Sequence, residues 1–136
     1  MTRSVWPVRV YYEDTDAGGV VYYANYLKFL ERARTEWLRE LGYEQDTLMQ
    51  DGIIFAVRRV TIDYLRPARF NQLLEVQTTV ISLGAASIEV HQRVIHETSC
   101  LADALVKLVC LDAASFRPQK LPEAISKTIK RSINVS

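Results

Sequence analysis

The sequence is poor in cysteine. Its 136 residues include only Cys100 and Cys110, which fall ten residues apart in one segment rich in strand-forming residues. An extended chain would separate them by about 33 Å. Because a disulfide needs Cα atoms within about 7 Å, this spacing excludes a bond between the two. Unpaired thiols are typical of a reducing compartment, and we therefore predict a cytoplasmic protein.

Long apolar runs and an excess of one charge are also missing. The longest uncharged stretch, Val76–Ile88, has 13 residues, whereas a membrane-spanning helix needs roughly 18 or more apolar residues. The first ten residues, MTRSVWPVRV, have no apolar segment of the kind found in signal peptides. The net charge is +1. We therefore predict neither nucleic-acid binding nor stable membrane insertion.

Histidine is equally scarce. His91 and His96 are five residues apart in a predicted strand, so their side chains point to opposite faces and do not form a metal-binding pair. No G-x-S-x-G motif occurs, which disfavours a nucleophile elbow. A Ser–His or Cys–His pair brought together by the fold stays open. We predict no metal and no cofactor.

Apolar periodicity predicts a strand, a long helix and then four strands. The short gaps between the last three strands favour antiparallel hairpins. An antiparallel sheet covered by one dominant helix is an α+β fold, here one domain over residues 1–136. The predicted elements are strand Val5–Glu13, helix Tyr23–Leu41 ended by Gly42, short helix Glu44–Gln50, strands Ile53–Tyr64, Leu74–Leu83, Ala86–His96 and Leu101–Asp112, and a tail helix after Pro122.

Two aspartates stand one residue apart where the first apolar run ends. Asp14 and Asp16 precede Gly18, Gly19 and the long helix. Carboxylates in this setting can bind a metal ion, attack a phosphate, activate water or cap the helix. A calcium loop counted from Asp14 would need an acid at position 12, where the chain has Asn25. A D-x-D of the haloacid-dehalogenase type belongs to a parallel sheet with Mg²⁺, whereas this chain continues as antiparallel β-structure.

Water activation and helix capping remain for Asp16. The N-terminus of a buried helix offers free backbone N–H groups and the positive end of the helix dipole. These N–H groups can stabilise an oxyanion that develops on a carbonyl. A thioester can be cleaved with no more than this, because a leaving thiol with a pKa of about 8.5 needs no strong general acid. Capping alone is the alternative.

The same residues resemble a known family. Their pattern, Y-x-x-D-x-D-x-x-G-x-V-x-x-x-x-Y, is similar to that of hotdog-fold acyl-CoA thioesterases of the 4-hydroxybenzoyl-CoA thioesterase type. The segments that resemble its Tol–Pal-associated YbgC branch are Trp6–Tyr22, Glu31–Arg39 and Pro67–Arg69 with Leu73–Val76. The pattern itself is formed by Tyr11, Asp14, Asp16, Gly19, Val21 and Tyr26.

The resemblance implies a fold, an assembly and a site. The fold would be a long helix wrapped by a curved antiparallel sheet, and the assembly a homodimer or homotetramer with active sites between subunits. The activity would be metal-free hydrolysis of acyl-CoA. Asp16 falls on the catalytic carboxylate, acting as nucleophile or as general base toward water. Tyr23 falls on the residue whose backbone N–H is the oxyanion donor, and Asp14 falls on a residue that braces the loop.

Two features depart from the family. Many YbgC-like members have His, with an auxiliary catalytic role, where this chain has Tyr23. The hydroxybenzoyl branch has basic residues before its fourth strand that meet CoA phosphates, whereas Ser82–Ser87 is neutral here. Other residues would then have to bind CoA. The candidates are Arg58, Arg59, Arg66 and Arg69.

A second hypothesis comes from another class of protein. A non-catalytic scaffold on the same frame could hold acyl chains or proteins, with acyl carrier protein or Tol–Pal components as partners by resemblance. The basic tail could meet an acidic carrier; it contains Lys120, Lys127, Lys130 and Arg131. Asp16 favours the enzyme, because a scaffold has no chemical use for a carboxylate at that position.

Overall fold

The computed structural model describes residues 3–134, which form an α+β fold and confirm the predicted class. A single 3₁₀ turn, Tyr12–Asp14, follows the first strand. The strands and helices are β1 (Ser4–Arg9), α1 (Asn25–Glu40), α2 (Gln45–Gln50), β2 (Ile53–Tyr64), β3 (Leu73–Leu83), β4 (Ser87–His96), β5 (Ser99–Asp112) and α3 (Glu123–Asn134).

The five strands form one antiparallel sheet in the order β1-β3-β4-β5-β2. Consecutive hairpins join β3, β4 and β5, while β1 and β2 occupy the two edges. One residue is left out of the pairing in each of three strands: Arg58 in β2, Ile81 in β3 and Leu101 in β5. Bulges of this kind bend a strand and increase its twist, which allows the sheet to curve around α1.

α1 supplies a large part of the core. Its buried side chains recur every three or four residues, as expected for a helix that packs one face on a sheet. Burying each large apolar side chain stabilises the fold by about 1.5–3 kcal/mol. The helix packs mainly on β1 and β3 and meets β2 through Tyr26 and Tyr64. The buried residues are Tyr26, Phe29, Leu30, Ala33, Arg34, Trp37 and Leu38.

α3 confirms the predicted tail helix and closes one end of the sheet. Leu121, Ile125 and Ile129 are buried against the core. The Leu121 N–H donates to the Ala85 carbonyl at the β3–β4 hairpin (2.8 Å). No helix in the described part of the chain has the length and apolar content needed to cross a membrane.

The two edges of the sheet differ. β1 has 6 residues and carries Pro7, which lacks the N–H that a further strand would need. β2 has 12 residues and no proline. On either side of the bulge at Arg58, its outer edge therefore presents backbone donors and acceptors, which are a template for pairing with another strand.

The cysteine prediction is confirmed, since Cys100 and Cys110 both lie on β5 as free thiols. Cys110 faces the core, and burial raises the pKa of its thiol. The strands were predicted to within two residues, except that β1 stops at Arg9 instead of Glu13. The chain turns there because the Asp14 carboxylate accepts the Tyr11 N–H (2.8 Å) and stabilises the 3₁₀ turn.

Candidate active site

Asp16 lies in a tight loop between β1 and α1. Its N–H donates to the Val20 carbonyl (2.9 Å), and its own carbonyl accepts the Gly19 N–H (3.0 Å). Gly19 has φ +79°, a conformation that glycine adopts without strain. Val20 forms a bridge with Arg69, which attaches the loop to the segment before β3. The loop is therefore held at both ends by backbone bonds.

The Asp16 carboxylate is exposed, and only one of its two oxygens accepts a hydrogen bond from the described part of the protein. Oδ1 accepts the Gly18 N–H at 2.8 Å, an Asx turn that fixes the direction of the side chain. Among residues 3–134, no donor bonds to Oδ2. A Cβ atom on Gly18 would lie 3.2 Å from Oδ1. The loop thus orients the carboxylate through one oxygen and presents the other to solvent or substrate.

Asp14 has the opposite surroundings. It is 4% exposed, and its Oδ2 accepts the Tyr11 N–H while Oδ1 pairs with Lys28 Nζ at 3.3 Å. Its carbonyl accepts the Tyr22 N–H (3.1 Å) and the Asn25 side-chain amide (2.9 Å). Asp14 therefore ties the end of β1 to the beginning of α1 and has no oxygen left for substrate.

Tyr23 lies in the turn that leads into α1, two residues before the helix begins. Within the described residues its backbone N–H donates to no acceptor, while the N–H of Asn25 already bonds to the Tyr22 carbonyl. The Tyr64 hydroxyl donates to the Tyr23 carbonyl at 3.2 Å and holds this peptide in place. Backbone N–H groups without an acceptor in the described residues therefore lie before α1, next to the Asp16 loop. An oxyanion site requires donors of this kind.

Aromatic rings form a wall at this end of the molecule. The Tyr64 ring lies 6.0 Å from that of Tyr23 and 5.3 Å from that of Tyr26. The Tyr26 hydroxyl accepts the Ala68 N–H (3.0 Å). Burial raises the pKa of the Tyr26 and Tyr64 hydroxyls, and in Tyr64 the two neighbouring tyrosines add to the effect. Both phenols therefore stay neutral near pH 7 and serve as packing and hydrogen-bonding groups.

Two features lie along the edge strand β2. Tyr64, its last residue, contacts Tyr23 and Tyr26 at the beginning of α1. Near its first residues an apolar cavity of about 270 Å³ lies between α2 and the start of β2. It is lined by Gln45, Leu48, Met49, Ile53, Ile54 and Phe55.

The four candidate arginines separate into two pairs. Arg66 and Arg69 follow β2 and adjoin the Asp16 loop through the Val20–Arg69 bridge. Arg58 lies at the bulge of β2, and Arg59 is on the outer face of the sheet beside Glu89. All four are exposed. The structure thus brings Arg66 and Arg69 to the same end as Asp16 and does not bring Arg58 or Arg59 there.

Sequence reasoning did not identify Tyr64 or the lining of the cavity between α2 and β2. Tyr64 alternates with Val60 and Ile62 along β2, so periodicity places it on the inner face. Nothing in the sequence, however, links the end of β2 to the beginning of α1, which lie about 40 positions apart. In residues 3–134 no three metal-ligating side chains cluster.

Comparison with known proteins agrees with this geometry. Residues 10–129 match the model of the Thioesterase-like superfamily. The acyl-CoA thioester hydrolase YbgC of Escherichia coli O6:H1 is 46% identical over 127 residues, covering 93% of this chain and 95% of the relative. The acyl-CoA thioesterase YbgC of Haemophilus influenzae is 46% identical over 121 residues, covering 88% and 89%.

Solved structures support the same fold. A protein described as a probable thioesterase from Bartonella henselae has a TM-score of 0.84 at 36% identity, covering 89% of this chain and all of its own. The DHNA-CoA thioesterase of Staphylococcus aureus has a TM-score of 0.91, with 96% and 91% of the two chains covered. Its 21% identity shows a shared fold only.

The chain therefore belongs to the thioesterase-like superfamily and has its hotdog fold. Similarity over most of its length assigns it to the YbgC-like branch, a branch of acyl-CoA thioesterases. The family resemblance seen in the sequence is confirmed.

Proposed function

We propose that this protein hydrolyses acyl-CoA thioesters at the Asp16 loop, releasing a carboxylic acid and CoA. The observation that carries the proposal is the pairing of an exposed carboxylate, free at Oδ2, with an unused N–H at Tyr23. The names of the YbgC relatives support the same chemistry.

The chemistry needs only these groups. As a general base, Asp16 takes a proton from water, the resulting hydroxide adds to the carbonyl carbon, and the Tyr23 N–H stabilises the oxyanion. Collapse then breaks the C–S bond and expels CoA thiolate, whose pKa of about 8.5 makes it a good leaving group. As a nucleophile, Asp16 instead forms a mixed anhydride that water hydrolyses in a second step. Neither route calls for a metal or a cofactor.

A second copy of the chain completes the proposed site. β2 is an edge strand, so an acyl group bound beside it in a single chain would be exposed to water. Antiparallel pairing of β2 with its copy would satisfy the free backbone groups and cover the acyl group. We therefore propose a homodimer as the minimal active unit, and a cytoplasmic location consistent with its free thiols.

Arg66 and Arg69 are the proposed contacts for the CoA phosphates. They are exposed and lie at the same end of the molecule as Asp16. Arg58 and Arg59, predicted for the same task, would have to act from the middle of β2.

The test is thiol release from short-chain, long-chain and benzoyl-CoA by the wild type, Asp16→Asn and a matched control, Glu13→Gln. Glu13 is an exposed acid in the same loop, so its substitution makes the same change in charge. We expect turnover of at least one thioester, a loss of about a hundredfold or more in Asp16→Asn, and a control within about threefold of wild type. A wild type inert on every thioester would favour the binding scaffold, whereas an equally active Asp16→Asn would show that Asp16 is not the catalytic group.

A single-turnover reaction in H₂¹⁸O separates the two routes. Enzyme in excess over substrate places ¹⁸O in the product acid by the general-base route. A mixed anhydride attacked at Asp16 would place the label in the protein and leave the first product unlabelled.

A further inference from the structure

Arg34 is a charged side chain in the interior of the protein. It lies in the middle of α1 and is 9% exposed, among apolar residues of the core. Its Nη1 donates to Gln92 Oε1 at 3.1 Å. Removing a charge from water costs several kcal/mol unless partners compensate. A guanidinium at this position therefore needs an explanation.

Gln92 holds the guanidinium in a fixed direction. Gln92 is fully buried on β4, and its Nε2 donates to the Leu30 carbonyl (3.0 Å) and to Thr78 Oγ1 (2.9 Å). These bonds settle which end of the amide faces Arg34, because Oε1 must then be the acceptor. Two buried polar side chains, from β3 and β4, and one backbone carbonyl of α1 thus orient one cation.

No acid neutralises this cation within the described residues. The ion pairs of residues 3–134 do not include Arg34. Glu31, one turn earlier on α1, is exposed and lies beyond ion-pair distance. Burial lowers the pKa of the Arg34 guanidinium and the negative charge of Glu31 opposes that effect, but arginine keeps its charge in proteins. A guanidinium has five N–H donors, and a single bond to Gln92 leaves most of them unused.

The guanidinium faces a second cavity, of about 170 Å³, at the edge of β2. Besides Glu31 and Arg34 its walls are mostly apolar. Gln45 and Phe55 also line the 270 Å³ cavity described above, so the two cavities adjoin. The remaining lining residues are Leu38, Val57 and Leu108.

An acyl chain that follows α1 from the Asp16 loop would approach this cavity. Leu27, Glu31 and Arg34 follow one another at intervals of four and three on the same face of α1. Leu27, near the beginning of the helix, is 43% exposed. Arg34 is nine residues from Asn25, or about 14 Å along the helix axis. An acyl group whose thioester lies at the Tyr23 N–H would therefore extend along α1 toward the Arg34 guanidinium.

We propose that Arg34 binds a carboxylate at the far end of the acyl group, so that the preferred substrates are ω-carboxyacyl thioesters. This inference rests on the proposed thioesterase function. A guanidinium and a carboxylate form paired charge-assisted hydrogen bonds, and the apolar walls suit the methylene chain between the two ends. An unsubstituted alkyl chain of the same length would leave the guanidinium both desolvated and unpaired.

Matched substrate pairs test this inference. The pairs are sebacoyl-CoA with decanoyl-CoA and dodecanedioyl-CoA with dodecanoyl-CoA. The members of each pair have equal carbon number and differ in the terminal carboxylate, and their chains are long enough to approach the distance of about 14 Å along α1. The readout is the ratio of kcat/KM within a pair for the wild type, Arg34→Met and Arg32→Met. Arg32 is an exposed neighbour on α1 and serves as the control.

We expect the wild type to prefer the carboxylated member of at least one pair by about tenfold, and Arg34→Met to shift that ratio about a hundredfold toward the alkyl member. Arg32→Met should keep the ratio within about twofold. An unchanged ratio in a folded Arg34→Met overturns the inference. Loss of dimer at an unchanged ratio would instead assign Arg34 to subunit contact.

Two further measurements cover the cases in which Arg34→Met does not fold or no thioester is turned over. Glu31→Gln removes the nearby acid from an exposed site and should raise the preference for the carboxylated member a few-fold; an unchanged preference counts against the inference. Calorimetric titration of Asp16→Asn with dodecanedioyl-CoA and dodecanoyl-CoA measures binding without turnover. Equal affinities overturn the inference, whereas absence of turnover in the wild type overturns only the proposed hydrolysis.

Discussion

The loop between β1 and α1 contains two aspartates of the same chemistry in opposite surroundings. In the first half of the loop, Asp14 is buried and both its oxygens are bonded to the protein. In the second half, Asp16 is exposed and uses one oxygen to shape its own turn. The difference teaches that residue type and spacing do not distinguish a structural from a catalytic carboxylate. What distinguishes the two aspartates is how many carboxylate oxygens remain without a hydrogen bond to the protein.

The largest effect is expected when the buried carboxylate of Asp14 is removed. In Asp14→Ala the Tyr11 N–H and Lys28 lose a buried partner, and we expect the free energy of unfolding to fall by about 3 kcal/mol. Urea denaturation of this variant and of Asp16→Asn measures the contrast, since Asp16→Asn should stay within about 0.5 kcal/mol of wild type. A loss below about 1 kcal/mol in Asp14→Ala would mean that Asp14 does not brace the loop.

A substitution at Gly18 tests whether the orientation of the Asp16 carboxylate matters for turnover. In Gly18→Ala the added methyl would lie 3.2 Å from Asp16 Oδ1, so the carboxylate has to shift by a few tenths of an ångström. We expect kcat to fall by about three- to tenfold because a catalytic group is displaced, with stability changed by less than about 1 kcal/mol. Steady-state kinetics with the best acyl-CoA checks this. Wild-type turnover would show that the orientation of Oδ1 is unimportant.

Asp112 gives the smallest expected effect. Like Asp16 it caps an exposed turn, accepting the Ser115 N–H (2.9 Å) and hydroxyl (3.0 Å), and these bonds lower the pKa of its carboxyl. A lowered folded-state pKa stabilises the fold above the unfolded-state pKa, and this contribution is lost as pH falls through the folded value. Asp112→Asn should therefore be slightly less stable than wild type at pH 7 and equal to it in acid.

Asp112→Asn should also leave turnover unchanged, because no free helix N–H adjoins this turn as Tyr23 adjoins Asp16. Thermal unfolding between pH 2.5 and 7, with activity at pH 7, checks both points. A stability difference that grows in acid would contradict the assignment of the lowered pKa to Asp112.

Much of the fold could be predicted from the sequence, because the signals are local. β2 was predicted at its observed bounds, since its alternation and the flanking Gly52 and Arg66-Pro67 are contained in one segment. α1 begins two residues later than predicted, because the turn at Tyr22 and Tyr23 is set by bonds to Asp14, outside the periodic stretch.

The candidate site was less predictable, because its geometry is non-local. The roles given to Asp16 and Tyr23 came from family resemblance and stay predictions, although the structure places both residues at the beginning of α1. Gln92, which holds Arg34, is 58 positions away from it, and no sequence pattern relates the two. Arg58 and Arg66 looked equivalent as sequence, yet only Arg66 lies at the Asp16 end.

The edge strand β2 also has a consequence for amide hydrogen exchange. In an antiparallel strand, successive N–H groups point alternately to the two neighbours. In an isolated chain, every second amide of β2 is bonded to β5 and protected, while those between them face solvent and exchange quickly. Pairing with a second copy would protect both sets. The exchange rates along Ile53–Tyr64 should therefore change on dilution from a uniformly slow pattern to one that alternates from residue to residue.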